Sequence, residues 1–192
     1  MNFDELVRKN RSYRRFYQQE TVSLKTLYEL ADYARLSASS GNIQGLKMFL
    51  SAEPVLNEQI FPHLSWAYYL KDWNGPGEGE RPAAYIILLW DTHIKEPIDT
   101  DTGIAAQSIL FGAVSKGLGG CLIGSVDRVG LRKTLGIPKN LRIQLVIALG
   151  KPKEQVVLEE MSDAMNVKYW RDDSGIHHVP KRKLEDIVFT RF

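Results

Sequence analysis

The densest group of hydrogen-bond donors in the sequence is Asn10-Arg11-Ser12-Tyr13-Arg14-Arg15-Phe16, where guanidinium groups and a hydroxyl fall within one short stretch. A phosphate needs such a set, because charge-assisted and bidentate hydrogen bonds replace the water stripped from its oxygens. A solvated basic helix end has the same composition, so this segment alone leaves both readings open. A second group, Ser39-Ser40-Gly41-Asn42-Ile43-Gln44, joins small hydroxyls to amides just before a predicted strand. Amides donate and accept at once, which suits the mixed edge of a flat heterocycle; the same residues could equally satisfy loop backbone. The third group is the glycine-rich turn Gly117-Leu118-Gly119-Gly120-Cys121-Leu122-Ile123-Gly124-Ser125, where backbone can come close to a ligand. It fails the dinucleotide fingerprint, because Leu122 stands where the last glycine belongs and the segment leads into a strand. A further basic cluster, Lys181-Arg182-Lys183, follows Pro180 near the end.

Other chemistries find less support. His177 and His178 are adjacent on a predicted strand, so their rings point to opposite faces and cannot grip one metal ion. His63 and His93 are isolated, and no metal is expected. Cys121 is the single cysteine and sits in an apolar run, which reads as a core residue in a reducing, cytoplasmic compartment. The amino terminus lacks the apolar core of a signal peptide, and no run is long enough to span a bilayer. Neither a Gly-x-Ser-x-Gly elbow nor a Walker Gly-Lys-Ser/Thr sequence is present. With 25 basic and 23 acidic residues the net charge is +2, which argues against a nucleic-acid-binding face.

These groups need elements to position them. The 192 residues suit one domain, and 44% hydrophobic content suffices for a sizeable core. Ser23 caps a predicted helix over about 24–36, whose Leu24, Leu27, Leu30, Ala31 and Ala34 form one apolar stripe. Apolar runs at 47–51, 84–90, 121–126 and 143–149 read as strands. Between the second and third, a helix over 102–116 has almost no polar face, so it is expected to be buried all round, in the core or against a second subunit. The turn-forming residues 74–80 read as an exposed, mobile loop after the aromatic-rich 66–73, and 66–80 as a whole is either a lid over substrate or a connection. Residues 167–171 and 176–179 flank Asp172-Asp173-Ser174-Gly175 as a hairpin, and a last helix is predicted over about 183–189.

Taken in order, these segments resemble the nitroreductase-like family of FMN enzymes along nearly the whole chain. Arg11-Ser12-Tyr13-Arg14-Arg15-Phe16 is similar to the family's amino-terminal Arg-Arg-Ser-x-Arg-x-Phe, with Asn10 in place of the first arginine. Ser39-Ser40-Gly41-Asn42-Ile43-Gln44 resembles its Ser-x-x-Asn-x-Gln-Pro-Trp, with Gly45-Leu46 replacing Pro-Trp. The resemblance implies an α+β fold, a central, mostly antiparallel sheet flanked by helices, in an intertwined homodimer with the flavin between subunits. It assigns Arg11, Ser12, Tyr13 and Arg14 to the flavin phosphate, ribityl chain and pyrimidine edge, Ser39, Asn42 and Gln44 to cofactor binding with Asn42 at the ring edge, and the backbone of Leu122, Ile123, Gly124 and Ser125 to a place beside the ring. Lys181 and Arg182 would complete a clamp on the phosphate, in the tail 167–192, and Arg14 would stabilise charge on the reduced ring. The implied activity is transfer of hydride from NAD(P)H through FMN to a nitro compound, quinone or similar electron-poor molecule, by ping-pong kinetics. A flavin reductase or dehalogenase of the same fold is the neighbouring reading. A non-catalytic flavin-binding protein is the alternative of another class.

Overall fold

The computed structural model describes residues 1–161 and 166–190. Its elements run α1 (Phe3–Lys9), α2 (Leu24–Leu36), β1 (Leu46–Ser51), α3 (Pro54–Ile60), β2 (Ala84–Asp91), α4 (Asp99–Ser115), β3 (Gly119–Ile123), α5 (Arg128–Leu135), β4 (Leu141–Gly150), β5 (Val156–Glu160), β6 (Trp170–Arg171) and β7 (His177–Lys181). The first four strands form one wholly antiparallel sheet in the order β1-β2-β4-β3. The chain thus adopts the expected α+β architecture.

Strand β2 explains the layering. Its alternate side chains Ala84, Ile86 and Leu88 enter one apolar cluster, and Tyr85, Ile87 and Leu89 enter another. Because both faces are covered, the strand reads as an unbroken apolar run rather than an alternating one. The first cluster takes Leu27, Leu30 and Ala34 from α2 and Ala105, Ala106, Ile109 and Ala113 from α4. The second takes Ile60 from the end of α3 and Leu131 from α5. Truncating a fully buried leucine such as Leu30 to alanine costs about 2–5 kcal/mol in such a site. Within one chain, helix α4 leaves Gly103, Ile104 and Ser115 exposed, because sheet and α2 cover only part of its circumference, so burial on that side is left to the second-subunit alternative. Cys121 is buried in the second cluster, and burial pushes its thiol up to about 12.

Beyond β4 the chain builds a second, three-stranded sheet in the order β5-β7-β6, with β5 and β7 parallel. The hairpin around Gly175 is present but short, β6 and β7 pairing only through Trp170 and Arg171. Instead of the predicted helix over 183–189, the chain makes a single turn held by Ile187 and Val188 donating to the Leu184 carbonyl. Leu184, Ile187, Val188 and Phe189 are all exposed, so no packed face supports further helical turns. His63, isolated in the sequence, bridges Asp127 and Thr134 across α5.

The segment 66–80 has no regular element, and its far end is tied down. Phe16 donates its amide to the Glu80 carbonyl, and the Glu80 carboxylate accepts from Arg15 Nε at 2.6 Å and from Lys153 Nζ at 2.9 Å. The Arg15 hydrogen bonds, with help from Lys153, outweigh burial and lower the Glu80 carboxyl from 4.5 to about 2. A carboxylate depressed by folding contributes stability above its unfolded value that is lost as pH falls. The melting temperature of wild type is therefore expected to exceed that of Glu80→Gln at neutral pH, with the gap narrowing between pH 4.5 and about 2. A gap independent of pH would remove the ion pair from this account.

Candidate functional site

The amino-terminal segment is laid along the edge of the main sheet. Ser12 pairs with Gly120 of β3 in parallel fashion, and Tyr13 donates its amide to the Gly120 carbonyl at 3.0 Å. Phe16 is fully buried. Between these anchors, the buried Glu154 carboxylate accepts the amides of Arg14 and Arg15 and, at 3.0 Å, Arg171 Nη2. Arg14 is thereby turned toward the cleft between this segment, β3 and β7.

Two adjoining cavities make up that cleft. One, of about 260 Å³, is lined by Asn10, Arg11, Ser12, His177, Val179 and Lys181; the other, of about 150 Å³, is lined by Leu122, Ile123, Gly124, Ser125, Tyr68 and the segment Ser65-Trp66-Ala67. Arg14 and Tyr169 line both. Strand β7 alternates, so His177, Val179 and Lys181 face the cleft while His178 turns away to Glu159 and Asp172 and stacks on Trp170.

The three arginines of the amino-terminal segment are divided by their partners. Arg15 is neutralised by Glu80. Arg11 and Arg14 have no carboxylate partner among the described residues: Arg11 Nη2 donates to the Val7 carbonyl at 2.7 Å, and Arg14 Nη1 to the Ser12 carbonyl at 3.3 Å. Burial pulls the Arg11 guanidinium down from its ordinary value. Without a carboxylate beside them among the described residues, neither guanidinium is neutralised at the cleft. Buried nitrogens without a partner among the described residues collect here as well: Arg11 Nε, Trp66 Nε1 and His177 Nδ1 all belong to lining residues. A buried donor left unmade costs about 1–3 kcal/mol, so a donor-rich cleft of this kind suits an anionic ligand rich in acceptors.

The sequence-predicted site residues divide in two. Arg11, Ser12, Arg14, Leu122, Ile123, Gly124, Ser125 and Lys181 come together. Tyr13 does not join them: its ring lies against Gly119 and its hydroxyl donates to the Lys9 carbonyl. Arg182 is exposed and is not among the lining residues. Ser39, Asn42 and Gln44 lie elsewhere, in the loop that enters β1. Strands β1 and β3 are opposite edges of the sheet with two strands between them, so about 14 Å of sheet separates the two groups.

That loop is strained and braced. Asn42 and Gln44 have φ of 54° and 53°, values that non-glycine residues rarely adopt, and Ala67 in the cleft has 40°. Such outliers persist only where surroundings over-determine them, commonly at binding sites. The bracing residue is Asp101, buried in the first turn of α4, which accepts from Ser39 Oγ at 2.7 Å and from Ser40 amide and hydroxyl at 2.9 and 2.7 Å. Burial favours its neutral form, yet these three hydrogen bonds together hold the carboxyl below its ordinary range. Ser39 is thus committed to Asp101 and to the Gln44 amide. Gly45 fits where the family pattern has proline because a side chain there would collide with the Trp90 indole.

Sequence reasoning missed Asp101, Glu154, Tyr169 and His177 as site residues. An acid at the start of an otherwise apolar helix was a readable sign for Asp101. Nothing in spacing marks the other three, which reach the site through tertiary contacts of the second sheet.

Comparison with known proteins follows the same geometry. The nitroreductase family profile matches residues 7–151. A protein of Archaeoglobus fulgidus, provisionally named NADH dehydrogenase/NAD(P)H nitroreductase, is 26% identical over 79% of this chain and 87% of its own length. Among solved structures, a nitroreductase family protein from Clostridium novyi NT superposes with a TM-score of 0.64 at 24% identity, covering 80% of this chain and 86% of the other. An NADPH:FMN oxidoreductase from Vibrio harveyi, complexed with NAD+, gives 0.60 at 20% identity, covering 78% and 68%. With its profile matched through the amino-terminal donors, the main sheet and the strand walling the cleft, this chain belongs to the nitroreductase family.

Proposed function

We propose that the chain is an FMN-dependent NAD(P)H oxidoreductase that works as a homodimer on an electron-poor small molecule, such as a nitro compound or quinone. The observation that carries this reading is the pairing of two un-neutralised arginines with unpartnered buried donors in a cleft walled by the backbone of Leu122–Ser125. FMN suits that donor set, with a dianionic phosphate, a hydroxylated chain and acceptors around its ring. Arg11, Ser12 and Lys181 would hold the phosphate end, and the 122–125 backbone would lie along the ring. When bound, FMN would take hydride from NAD(P)H and pass it to the second substrate. Arg14 would offset the negative charge that reduction adds, and fixed charge in a partly dry cleft acts strongly on such a step. No side chain needs to act as acid or base.

The divided site supports the homodimer. Ser39, Asn42 and Gln44 are too far from Arg14 within one chain, so in this reading each subunit supplies them to its partner's cleft. Exposed apolar residues Phe3 and Val7 on α1, which packs against α4, together with Ile104 on α4, give the surface that a second copy would cover. The segment 66–80, carrying Tyr68 at the cleft, would act as the lid over substrate, and residues 167–190 would complete the cofactor site within one domain. A lone buried thiol suits the reducing cytoplasm.

The test is spectroscopic. The purified protein is expected to show oxidised-flavin absorption, to release FMN on denaturation, to bleach with NADH or NADPH and to recover on adding a nitroaromatic or quinone. A colourless protein that does not take up FMN would overturn the assignment, and a yellow protein that NAD(P)H cannot bleach would make it a flavin-binding protein without this activity.

A further inference from the structure

The matched family span ends at residue 151, so the second sheet that closes the cleft lies beyond it. From that sheet His177, and from just before β6 Tyr169, reach Arg14. His177 is 1% exposed, and its Nε2 lies 3.2 Å from Arg14 Nη1. The Tyr169 ring stacks 4.9 Å from the guanidinium carbon and 5.2 Å from the His177 ring. A guanidinium has donors only, so the contact with His177 is a hydrogen bond only when Nε2 is the acceptor and the proton sits on Nδ1. Nδ1 is buried and has no partner among the described residues.

This arrangement differs in kind from that of Arg15. A carboxylate anchor fixes a guanidinium and cancels its charge, whereas a neutral imidazole and a phenol face fix it and leave the charge whole. On the reading that the cleft holds FMN, we propose that His177, seconded by Tyr169, is the positioning residue for Arg14: it holds the guanidinium at the cleft without neutralising it. His177 suits the task because burial first, then the nearby charges of Arg14, Arg171 and His178, lower its titration to about 4, so the imidazole is neutral under ordinary conditions.

The experiment compares His177→Phe, which keeps a ring but has no acceptor, with His177→Gln, which keeps a neutral acceptor. Both are measured beside wild type, Arg14→Ala and the double variant Arg14→Ala/His177→Phe. The readouts are FMN dissociation constant, by fluorescence titration of the apoprotein, and the two-electron midpoint potential of the bound flavin. Arg14→Ala is expected to weaken FMN binding about ten- to hundredfold, as for loss of a hydrogen bond to a charged group. His177→Phe is expected to weaken it several-fold and make the potential more negative, His177→Gln to restore most of both, and the double variant to be no worse than Arg14→Ala alone.

Wild-type affinity and potential in His177→Phe would overturn the proposal, as would losses in the double variant that add in full. If Arg14→Ala weakens binding and His177→Phe does not, only the positioning role falls. If Arg14→Ala binds FMN as wild type does, the cofactor reading of the cleft falls and this proposal with it. Should His177→Phe not fold, Tyr169→Leu removes the second anchor from outside the strands; a weaker FMN affinity and lower potential would support the role, and wild-type values would overturn it.

Discussion

Replacing Glu154 by alanine is expected to cost about 3–5 kcal/mol of stability, the largest single loss anticipated here from one side chain. The Glu154 side chain is fully buried, with no exposed surface, and three donors converge on it: the amides of Arg14 and Arg15 and the guanidinium of Arg171. Alanine would leave two backbone donors unmade and Arg171, only 16% exposed, as an uncompensated charge. Against a typical total stability of about 5–15 kcal/mol, that loss brings a domain close to its threshold. The effect is not confined to stability, because the same carboxylate sets the backbone that aims Arg14 into the cleft. In urea denaturation the midpoint should fall with an unchanged slope, and surviving folded protein should retain FMN poorly. A midpoint shift equivalent to less than about 1 kcal/mol would show that water replaces the carboxylate, and would remove Glu154 from the account of the site.

How much of this was legible beforehand depends on the range of the interaction. The main sheet was, because β1, β2, β3 and β4 announce themselves through local apolar runs, among them the one within Ala84–Asp91. Helix α2 was, because Ser23 accepts the Thr26 amide and the apolar stripe repeats at helical spacing. Strand β5 was not: Val156-Val157-Leu158-Glu159-Glu160 is half polar, and it is a strand because β7 pairs with it in parallel, a long-range fact. The last predicted helix failed for the converse reason, apolar residues at suitable spacing with nothing to pack against.

The site shows the same division. Arg11, Ser12 and Arg14 were readable as donors because phosphate chemistry needs their types close together in the chain. Which of the arginines stays available was not readable, since Glu80, Glu154 and His177 decide it from distant positions. Tyr13 is a case in point: its hydroxyl looked like part of the donor set, yet the ring's fit against Gly119 turns it to Lys9. Lys181 and Arg182 are neighbours, and strand alternation sends only the first to the cleft.

The second large effect concerns the divided site. If Ser39, Asn42 and Gln44 serve the partner's cleft, two differently damaged subunits should repair one site between them. Arg14→Ala damages the cleft half, and Asn42→Gly the loop half. Glycine is the appropriate replacement at residue 42, because it adopts the observed φ of 54° without strain, so that the loss reports on the side chain rather than on the backbone. Each variant alone should bind FMN weakly at both sites of its homodimer. A heterodimer carries one site with both halves intact and one with both halves damaged, which gives one tight FMN per two chains. Refolding an equal mixture should place about a quarter of all sites in the intact class, since about half the dimers are mixed and each contributes one site in two. Differently tagged subunits, purified through both tags and titrated with FMN, provide the count. A mixed dimer that binds no tighter than either parent would place both halves in the same chain, and a monomeric holoprotein would do so without any mutation. Either result would require the loop to cross about 14 Å of sheet to reach its own cleft, a rearrangement that its anchorage on buried Asp101 opposes.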